Sequence, residues 1–140
     1  MNWSSEALGL PEKFKIQNVG GGVINSSASN SLFLAVHAAK HRKLEQDKIL
    51  FDDPRSLKLV AYVSETAHIS SLRALMLKDI HYRKLATCKY DTNVQNYVVD
   101  LDALRLMIEE DVKNGLIPFF YGASIGTTWS GAIDQISEIS

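Results

Sequence analysis

Apolar residues recur at helical spacing in three long stretches of the chain. In the first stretch, residues 27–44, they fall at i, i+3, i+4 and i+7, which is the spacing of one buried helical face. These positions are Leu32, Ala35, Val36 and Ala39. Residues 69–78 and 101–114 predict two further helices. The second of these has Asp100 at its N-cap position and Gly115 where a left-handed residue would end it.

Short apolar runs lie between the predicted helices. Residues 58–63 are almost continuously apolar, which predicts a strand covered on both faces. Residues 116–121 predict a second strand, with Pro118 near its start, and residues 82–87 predict a weaker one. The polar segment 88–97 is predicted to be a loop. Because strands alternate with helices, the pattern favours right-handed βαβ units, a mostly parallel sheet with flanking helices, and the α/β fold class.

The two ends of the chain predict shorter helices. Residues 2–10 predict one or two helical turns that Ser4 or Ser5 would cap. Their apolar contacts would come from Trp3, Leu8 and Leu10. Residues 133–139 predict the beginning of another helix.

The composition is that of a globular domain and narrows the range of partners. The 140 residues carry a formal net charge of −1, which argues against nucleic acid and anionic membranes as partners. The apolar runs are too short to span a bilayer, and the first residues lack the basic and apolar regions of a signal peptide. The single cysteine, Cys88, leaves no partner for an intrachain disulfide, so we expect a reducing, cytoplasmic location.

Residues 20–30 predict a cradle for an anion. Three consecutive glycines and two apolar residues lead into a run of small hydroxyl and amide side chains, and the first long helix follows. Glycines let the backbone approach a ligand closely, and the amide groups at a helix N-terminus attract phosphate. The segment lacks the Gly-Lys-Ser/Thr ending of a Walker loop and the spacing of the dinucleotide fingerprint. A flexible loop that caps the helix is the alternative at this point.

Two other polar loops are expected at the same edge of the sheet. Residues 64–68 follow the first predicted strand, and residues 124–129 follow the strand at 116–121. In parallel α/β sheets, ligands bind beyond the carboxyl ends of the strands. The two loops and the segment 20–30 therefore predict one shared ligand site.

Several strings in the chain resemble the group II pyridoxal-phosphate (PLP) decarboxylases, which include aromatic-L-amino-acid, tyrosine and histidine decarboxylases. They occur in family order and cover nearly the whole chain. The strings are Met1-Asn2-Trp3, Leu8-Gly9-Leu10-Pro11, residues 20–24, Ser27-Ala28-Ser29, residues 58–62, Ala67-His68 with Ser70, residues 115–120, Ala123 with Gly126-Thr127-Thr128, and Gly131-Ala132 with Asp134.

The resemblance implies a partial fold type I architecture, with residues 1–140 as the N-terminal portion of the large PLP-binding domain. It implies that Ala28 and Ser29 hold the cofactor phosphate. It also implies that His68 stacks on the cofactor ring and can relay a proton near the reacting carbon, as an imidazole is able to do. Thr128 is implied as a further cofactor contact. The complete enzyme would be a homodimer that decarboxylates an L-amino acid, with an aromatic one favoured.

The Schiff-base lysine that PLP chemistry requires is absent from these residues. The family carries it in a His-Lys pair downstream, whereas no such pair occurs here and no lysine follows Lys113. Two other departures are Ser26, where the family commonly has glycine, and Asn30, where it has an acidic residue. The chain is therefore predicted to be a fragment or truncated form of a decarboxylase, inactive alone. The alternative is a non-catalytic dimerisation or decoy module derived from such an enzyme.

Other arrangements of reactive side chains predict sites less well. His37 and His41 have the spacing of helical metal ligands, but basic residues surround them and the glutamate of H-E-x-x-H is missing, so no metal is predicted. Ser29 with His68 lacks the elbow of a serine nucleophile. Trp129 either touches the substrate or packs under its loop. Acidic residues are predicted to cap or to cover the surface of the third helix. They are Asp100, Asp102, Glu109, Glu110 and Asp111.

A sheet of about three strands would also leave open edges and uncovered helix faces, which favour aggregation. We therefore expect residues 1–140 alone to express poorly or to stay partly unfolded.

Overall fold

The computed structural model describes residues 2–18, 20–85, 88–92 and 95–139. The helices are α1 (Asn2–Ala7), α2 (Ala28–Gln46), α3 (Ile69–Met76), α4 (Leu101–Lys113) and α5 (Ile136–Ile139). The strands are β1 (Leu59–Ser64), β2 (His81–Leu85), β3 (Cys88–Asp91), β4 (Asn96–Val99) and β5 (Ile117–Gly122). Short 3-10 helices occupy Glu12–Phe14, Ile16–Asn18 and Pro54–Lys58.

A three-stranded parallel sheet forms the centre of the fold, in the order β2-β1-β5. All six residues of β1 are buried, as the continuous apolar run predicts. The pairing of β1 with β5 shifts register between Val60 and Ala61, next to Pro118. Proline lacks the N–H group that a regular ladder needs, so an irregularity is expected there. The α/β class and the parallel sheet with flanking helices are confirmed.

Helices cover both faces of this sheet. On one face, Ala61 and Val63 of β1 pack with Val36 of α2 and with two residues of α3, Ala74 and Leu75. On the other face, residues from β1, β2, β4 and α4 form a second cluster, which comprises Val60, Tyr62, Leu85, Val99 and Leu104. Successive side chains of a strand point to opposite faces, which is why one strand contributes to both clusters.

Three helix predictions need correction. α1 begins at Asn2, so Ser4 and Ser5 do not cap it, and the side chains of Trp3, Leu8 and Leu10 are exposed. In α2, Val36 is buried but Ala35 is exposed, because the helix packs against α3 and β5 on one side only. α5 begins at Ile136 instead of 133. The predicted N-cap Asp100 and the left-handed Gly115 are confirmed, and the structure adds Ser27 as the N-cap of α2.

The segment 88–97 is not a loop. β3 and β4 form an antiparallel hairpin in which Cys88 pairs with Val99 and Asp91 pairs with Asn96. The segment is mostly polar, so its strand pattern is weak. The buried residues of β4, Val98 and Val99, come directly after it. The weaker predicted strand is β2, and residues 86–87 at its predicted end lie outside the described part of the chain.

Asp111 does not lie on the surface of α4. Its side chain is 1% exposed, and its Oδ2 atom accepts a hydrogen bond of 2.9 Å from the Tyr62 hydroxyl. The Nε atom of Arg83 lies 3.7 Å from the same oxygen. A buried carboxylate is costly unless it is paired and hydrogen-bonded, so these two partners account for its position.

Replacing Tyr62 by phenylalanine should make the free energy of unfolding less sensitive to alkaline pH. Burial, together with the hydrogen bond to Asp111, raises the pKa of the Tyr62 hydroxyl well above its usual value. The unfolded chain ionises this tyrosine near pH ~10, whereas the folded chain keeps it neutral, so the stabilising contribution is complete below that pH and is lost above it. Between roughly pH 10 and 11, we expect the free energy of unfolding of the wild type to fall by up to about 1.4 kcal/mol per pH unit more than that of Tyr62→Phe.

Urea unfolding of the native polypeptide at a series of pH values measures this difference. Between roughly pH 6 and 8 the two proteins should differ by a constant amount, because the phenol is neutral in both states. If the free energies of unfolding of the wild type and of Tyr62→Phe stay a constant amount apart up to pH ~11, the raised pKa of the Tyr62 hydroxyl is contradicted.

Among the described residues, no helix is both long enough and apolar enough to cross a bilayer. The cytoplasmic location and the poor folding of the isolated residues stay predictions.

Candidate functional site

A cleft of about 740 Å³ opens at the carboxyl edge of the sheet. Three segments line it: the first turns of α2, the connection from β1 into α3, and the loop that follows β5. This volume falls in the usual range for small-molecule sites. The loops at 64–68 and 124–129 meet at this cleft as predicted, because β1 and β5 are parallel and end at the same edge. Of the predicted segment 20–30, Ala28 lines the cleft, whereas the glycines are not part of the lining.

Three of the predicted site residues, Ala28, His68 and Thr128, line this cleft. Ser29 is the next residue after Ala28 in the first turn of α2 and is exposed. Sequence reasoning did not single out Ser31 or Ser70 as members of the lining, whereas Ser124 belongs to the predicted loop 124–129. The position of Ser31 and Ser70 in the first turns of α2 and α3, next to the predicted loops, is the signal that could have identified them.

The N-terminus of α2 is held in place by its own side chains. The Ser27 hydroxyl accepts a hydrogen bond of 3.2 Å from the amide of Asn30, and the Asn25 side chain donates one of 3.0 Å to Ser31. Within the described residues, the amides of Ala28 and Ser29 have no hydrogen-bond acceptor, as is usual for the first turn of a helix. Two unpaired N–H donors at a positive helix end are suited to binding an anion.

The first residue of the glycine run packs closely against the preceding segment and does not line the cleft. A Cβ atom at Gly20 would lie 2.3 Å from the backbone of Phe14, so only glycine fits there. The left-handed glycines near the cleft are instead Gly126 and Gly131, with φ values of +81° and +65°. Both lie in the loop after β5, where a side chain would strain the backbone.

His68 caps the N-terminus of α3 with its own ring. Its Nδ1 atom accepts a hydrogen bond of 3.2 Å from the amide of Ser70 and lies 2.8 Å from the Ser70 hydroxyl. Because Nδ1 accepts the amide proton, the neutral ring carries its own proton on Nε2. The ring is exposed at the cleft, so its face and Nε2 are accessible to a ligand.

The loop after β5 is fixed by internal hydrogen bonds. The carboxylate of Asp134, which is 4% exposed, accepts hydrogen bonds from the Ser124 amide at 2.8 Å and from the Tyr121 hydroxyl at 3.1 Å. The Thr127 hydroxyl accepts a hydrogen bond of 3.1 Å from the amide of Ala132. No side-chain hydrogen bond of Thr128 is found within the described residues, so its hydroxyl is available to a ligand at the cleft.

The hairpin β3–β4 supports the outer part of the same loop. Asn96 donates a hydrogen bond of 2.8 Å to the carbonyl of Gly131. The rings of Tyr97 and Trp129 lie 6.3 Å apart, and Tyr90 packs edge-on against Tyr97 at 5.4 Å. Trp129 is 81% exposed and lines the cleft, so it does not pack under the loop.

The alternative sites are not assembled. His37 and His41 pack edge-to-face at 4.4 Å, and partial desolvation together with Lys78 lowers the pKa of His37. Within the described ranges, no group of three or more His, Cys, Asp or Glu side chains is placed to hold a metal. His68 is bonded to Ser70, and no hydrogen bond joins it to Ser29 among the described contacts.

Known proteins resemble this chain over almost its whole length. An aromatic-L-amino-acid decarboxylase from Manduca sexta is 39% identical over 145 residues, which cover 99% of this chain and 27% of that protein. A histidine decarboxylase from Homo sapiens is 35% identical over 146 residues, or 99% of this chain and 21% of that protein. The crystal structure of Catharanthus roseus tryptophan decarboxylase in complex with L-tryptophan superposes with a TM-score of 0.80 at 32% identity, covering 99% of this chain and 28% of that one.

The chain thus spans about a quarter of the length of these relatives. A family model described as the pyridoxal-dependent decarboxylase conserved domain matches residues 1–140. The resemblance inferred from the residues is confirmed, and the chain belongs to the pyridoxal-dependent decarboxylase family.

Proposed function

We propose that the native protein is a PLP-dependent carboxy-lyase that releases CO₂ from an L-amino acid and leaves an amine. Residues 1–140 supply the phosphate end of the cofactor site and one face of its ring. The strongest support for this function is the cleft itself. It brings together the unpaired amides at the start of α2, the imidazole of His68 and the hydroxyl of Thr128. By the native polypeptide we mean this chain with any sequence that flanks it in the cell.

The described residues fit PLP by charge as well as by shape. No lysine or arginine is among the described residues that line the cleft, so the phosphate dianion would be balanced by the N-terminus of α2. Ala28 and Ser29 contribute two backbone donors, and Ser29 adds a hydroxyl. Amide donors at a helix N-terminus are a common way to bind phosphate without a cationic side chain.

His68 and Thr128 would position the flat part of the cofactor. The exposed imidazole of His68 can cover an aromatic ring with its face, and it can give up the proton on Nε2 as Nδ1 takes one from the Ser70 hydroxyl 2.8 Å away. The Thr128 hydroxyl can hydrogen-bond a ring substituent without adding charge. When bound, PLP withdraws electrons from the substrate Cα, which lets the carboxylate leave as CO₂. The lysine that holds the cofactor is expected elsewhere in the native polypeptide, and so are the contacts of a homodimer.

The test is CO₂ release by the PLP-saturated native polypeptide. We expect one or more of tyrosine, DOPA, tryptophan and histidine to be decarboxylated, with an aromatic amino acid preferred. If PLP binds but no amino acid yields CO₂, the catalytic assignment is wrong and the non-catalytic dimerisation or decoy module is favoured.

Replacing Ala28 by proline should weaken PLP binding about tenfold to hundredfold. Proline is tolerated at the first position of a helix, and Ser27 already has the extended backbone that precedes proline well, with φ −156° and ψ 157°. The variant removes one amide donor, and a hydrogen bond to a charged group contributes roughly 1.5–3 kcal/mol. PLP absorbance titration measures the dissociation constant.

The control is Ala39→Ser, which lies outside the cleft on the same helix and should bind PLP like the wild type. Unchanged PLP affinity of Ala28→Pro, with an unchanged melting temperature, would contradict the placement of the phosphate.

A further inference from the structure

We propose that Trp129 is a specificity-determining residue that binds the planar side chain of an aromatic amino-acid substrate. This inference rests on the proposed function, because it assumes that the cleft binds an amino acid. Trp129 lies on a part of the cleft that the proposed contacts with the cofactor phosphate, the cofactor ring and the relayed proton do not use.

Trp129 is an unusual surface residue because it is large, apolar and 81% exposed at the rim of a cleft. The same loop presents a second exposed apolar side chain to the cleft, Ile125, which is 73% exposed. Most of the other lining side chains are small or carry hydroxyl groups. The cleft therefore combines the amide donors at the start of α2 with the exposed apolar side chains of Ile125 and Trp129, which suits a ligand with one anionic and one apolar part.

The indole is held before any ligand arrives. Tyr97 lies against it with ring centroids 6.3 Å apart and an interplanar angle of 34°. The loop that carries it is anchored on both sides, by Asn96 at Gly131 and by Asp134 at Ser124. A side chain fixed in this way loses little conformational entropy on binding, so its contact contributes more fully to affinity.

A flat aromatic ligand would use this surface better than an aliphatic ligand of equal size. Aromatic pairs gain stabilisation beyond the area that they bury, because the ring faces and edges carry opposite partial charges. That gain corresponds to roughly a threefold to tenfold preference. The preference depends on the indole itself and not on the overall apolar character of the rim.

The experiment compares two amines that differ only in the ring. Phenethylamine and 2-cyclohexylethylamine have the same carbon framework, and neither carries a carboxylate to lose. Calorimetric titration of the PLP-loaded native polypeptide gives both dissociation constants. We expect the wild type to bind phenethylamine about threefold to tenfold more tightly.

Three variants separate the aromatic contact from loop structure. Trp129→Leu keeps a large apolar side chain and should reduce the ratio of the two constants to about one, while Trp129→Phe should keep most of it. Trp3→Leu is the matched control, because Trp3 is 87% exposed on α1 and outside the cleft, and it should leave the ratio unchanged.

An unchanged ratio in Trp129→Leu, or a wild type without preference between the two amines, would overturn the inference. Neither result depends on CO₂ release, so failure of the inference and failure of the proposed function are distinguishable. With active enzyme, Trp129→Leu should raise KM for aromatic amino acids and change kcat little, since the contact is with the substrate side chain.

Discussion

Replacing His68 by asparagine is expected to slow CO₂ release by the native polypeptide about 10²- to 10⁴-fold, the usual contribution of a positioned acid–base group. The imidazole lies in the cleft, where Nε2 can donate its proton while Nδ1 accepts one from the Ser70 hydroxyl 2.8 Å away. Asparagine is chosen because it also caps helices well, and it keeps the interaction with the Ser70 amide while removing the ring.

Two comparisons isolate the role of the ring. His68→Ala removes both ring and cap, and should lose about 1 kcal/mol more stability than His68→Asn while slowing the reaction to a similar extent. His81→Ala changes an exposed histidine on β2, outside the cleft, and should leave the rate within about twofold, as surface changes usually do. Steady-state CO₂ release measures all three, and a fall of less than about fivefold in His68→Asn would remove His68 from the chemistry.

The second large effect is expected at Asp111, which does not line the cleft. Asp111→Ala should lower the free energy of unfolding of the native polypeptide by about 3 kcal/mol. The change leaves the hydroxyl of Tyr62 buried without its acceptor and removes the buried oxygen that lies 3.7 Å from Arg83. An unsatisfied buried hydroxyl alone costs roughly 1–3 kcal/mol.

Urea unfolding of matched variants checks this value. Asp111→Asn retains an oxygen acceptor for Tyr62 and loses only the charge, so it should fall between Asp111→Ala and the wild type. Glu109→Ala lies on the same helix with an exposed side chain and should change the free energy by about 0.5 kcal/mol or less. If Asp111→Ala resembles Glu109→Ala, the buried network is not stabilising.

The sheet and its main helices could be predicted from local patterns alone. β1 is a continuous apolar run because both of its faces are covered, and that burial is visible in the sequence. The start of α4 at Asp100 and its end before Gly115 depend on contacts within a few residues, which a linear pattern contains. The parallel sheet then placed the loops after β1 and β5 at one edge, together with the start of α2.

The hairpin and the buried aspartate could not be predicted in this way. The strands of the hairpin pair polar residues such as Asp91 with Asn96, so their alternation of buried and exposed positions is weak. Asp111 has the residue type of a surface position, and its burial depends on Tyr62, which lies 49 residues earlier in the chain. The contact of Asp111 with Tyr62 is absent from any short window of sequence, whereas the hairpin is local but lacks the apolar alternation that identifies strands.

At the candidate site, residue types and local spacing identify the chemical groups that are available: Ala28 and Ser29 at a helix start, the imidazole of His68 and the hydroxyl of Thr128. That Ala28, His68 and Thr128 line one cleft, and that Nδ1 of His68 is hydrogen-bonded, depends on the folded chain. The contact of Tyr97 with Trp129, which is exposed at the rim, depends on it as well. Residue type and local spacing set hydrogen-bonding capacity and helix ends, whereas burial and ring contacts involve segments that are distant in the chain.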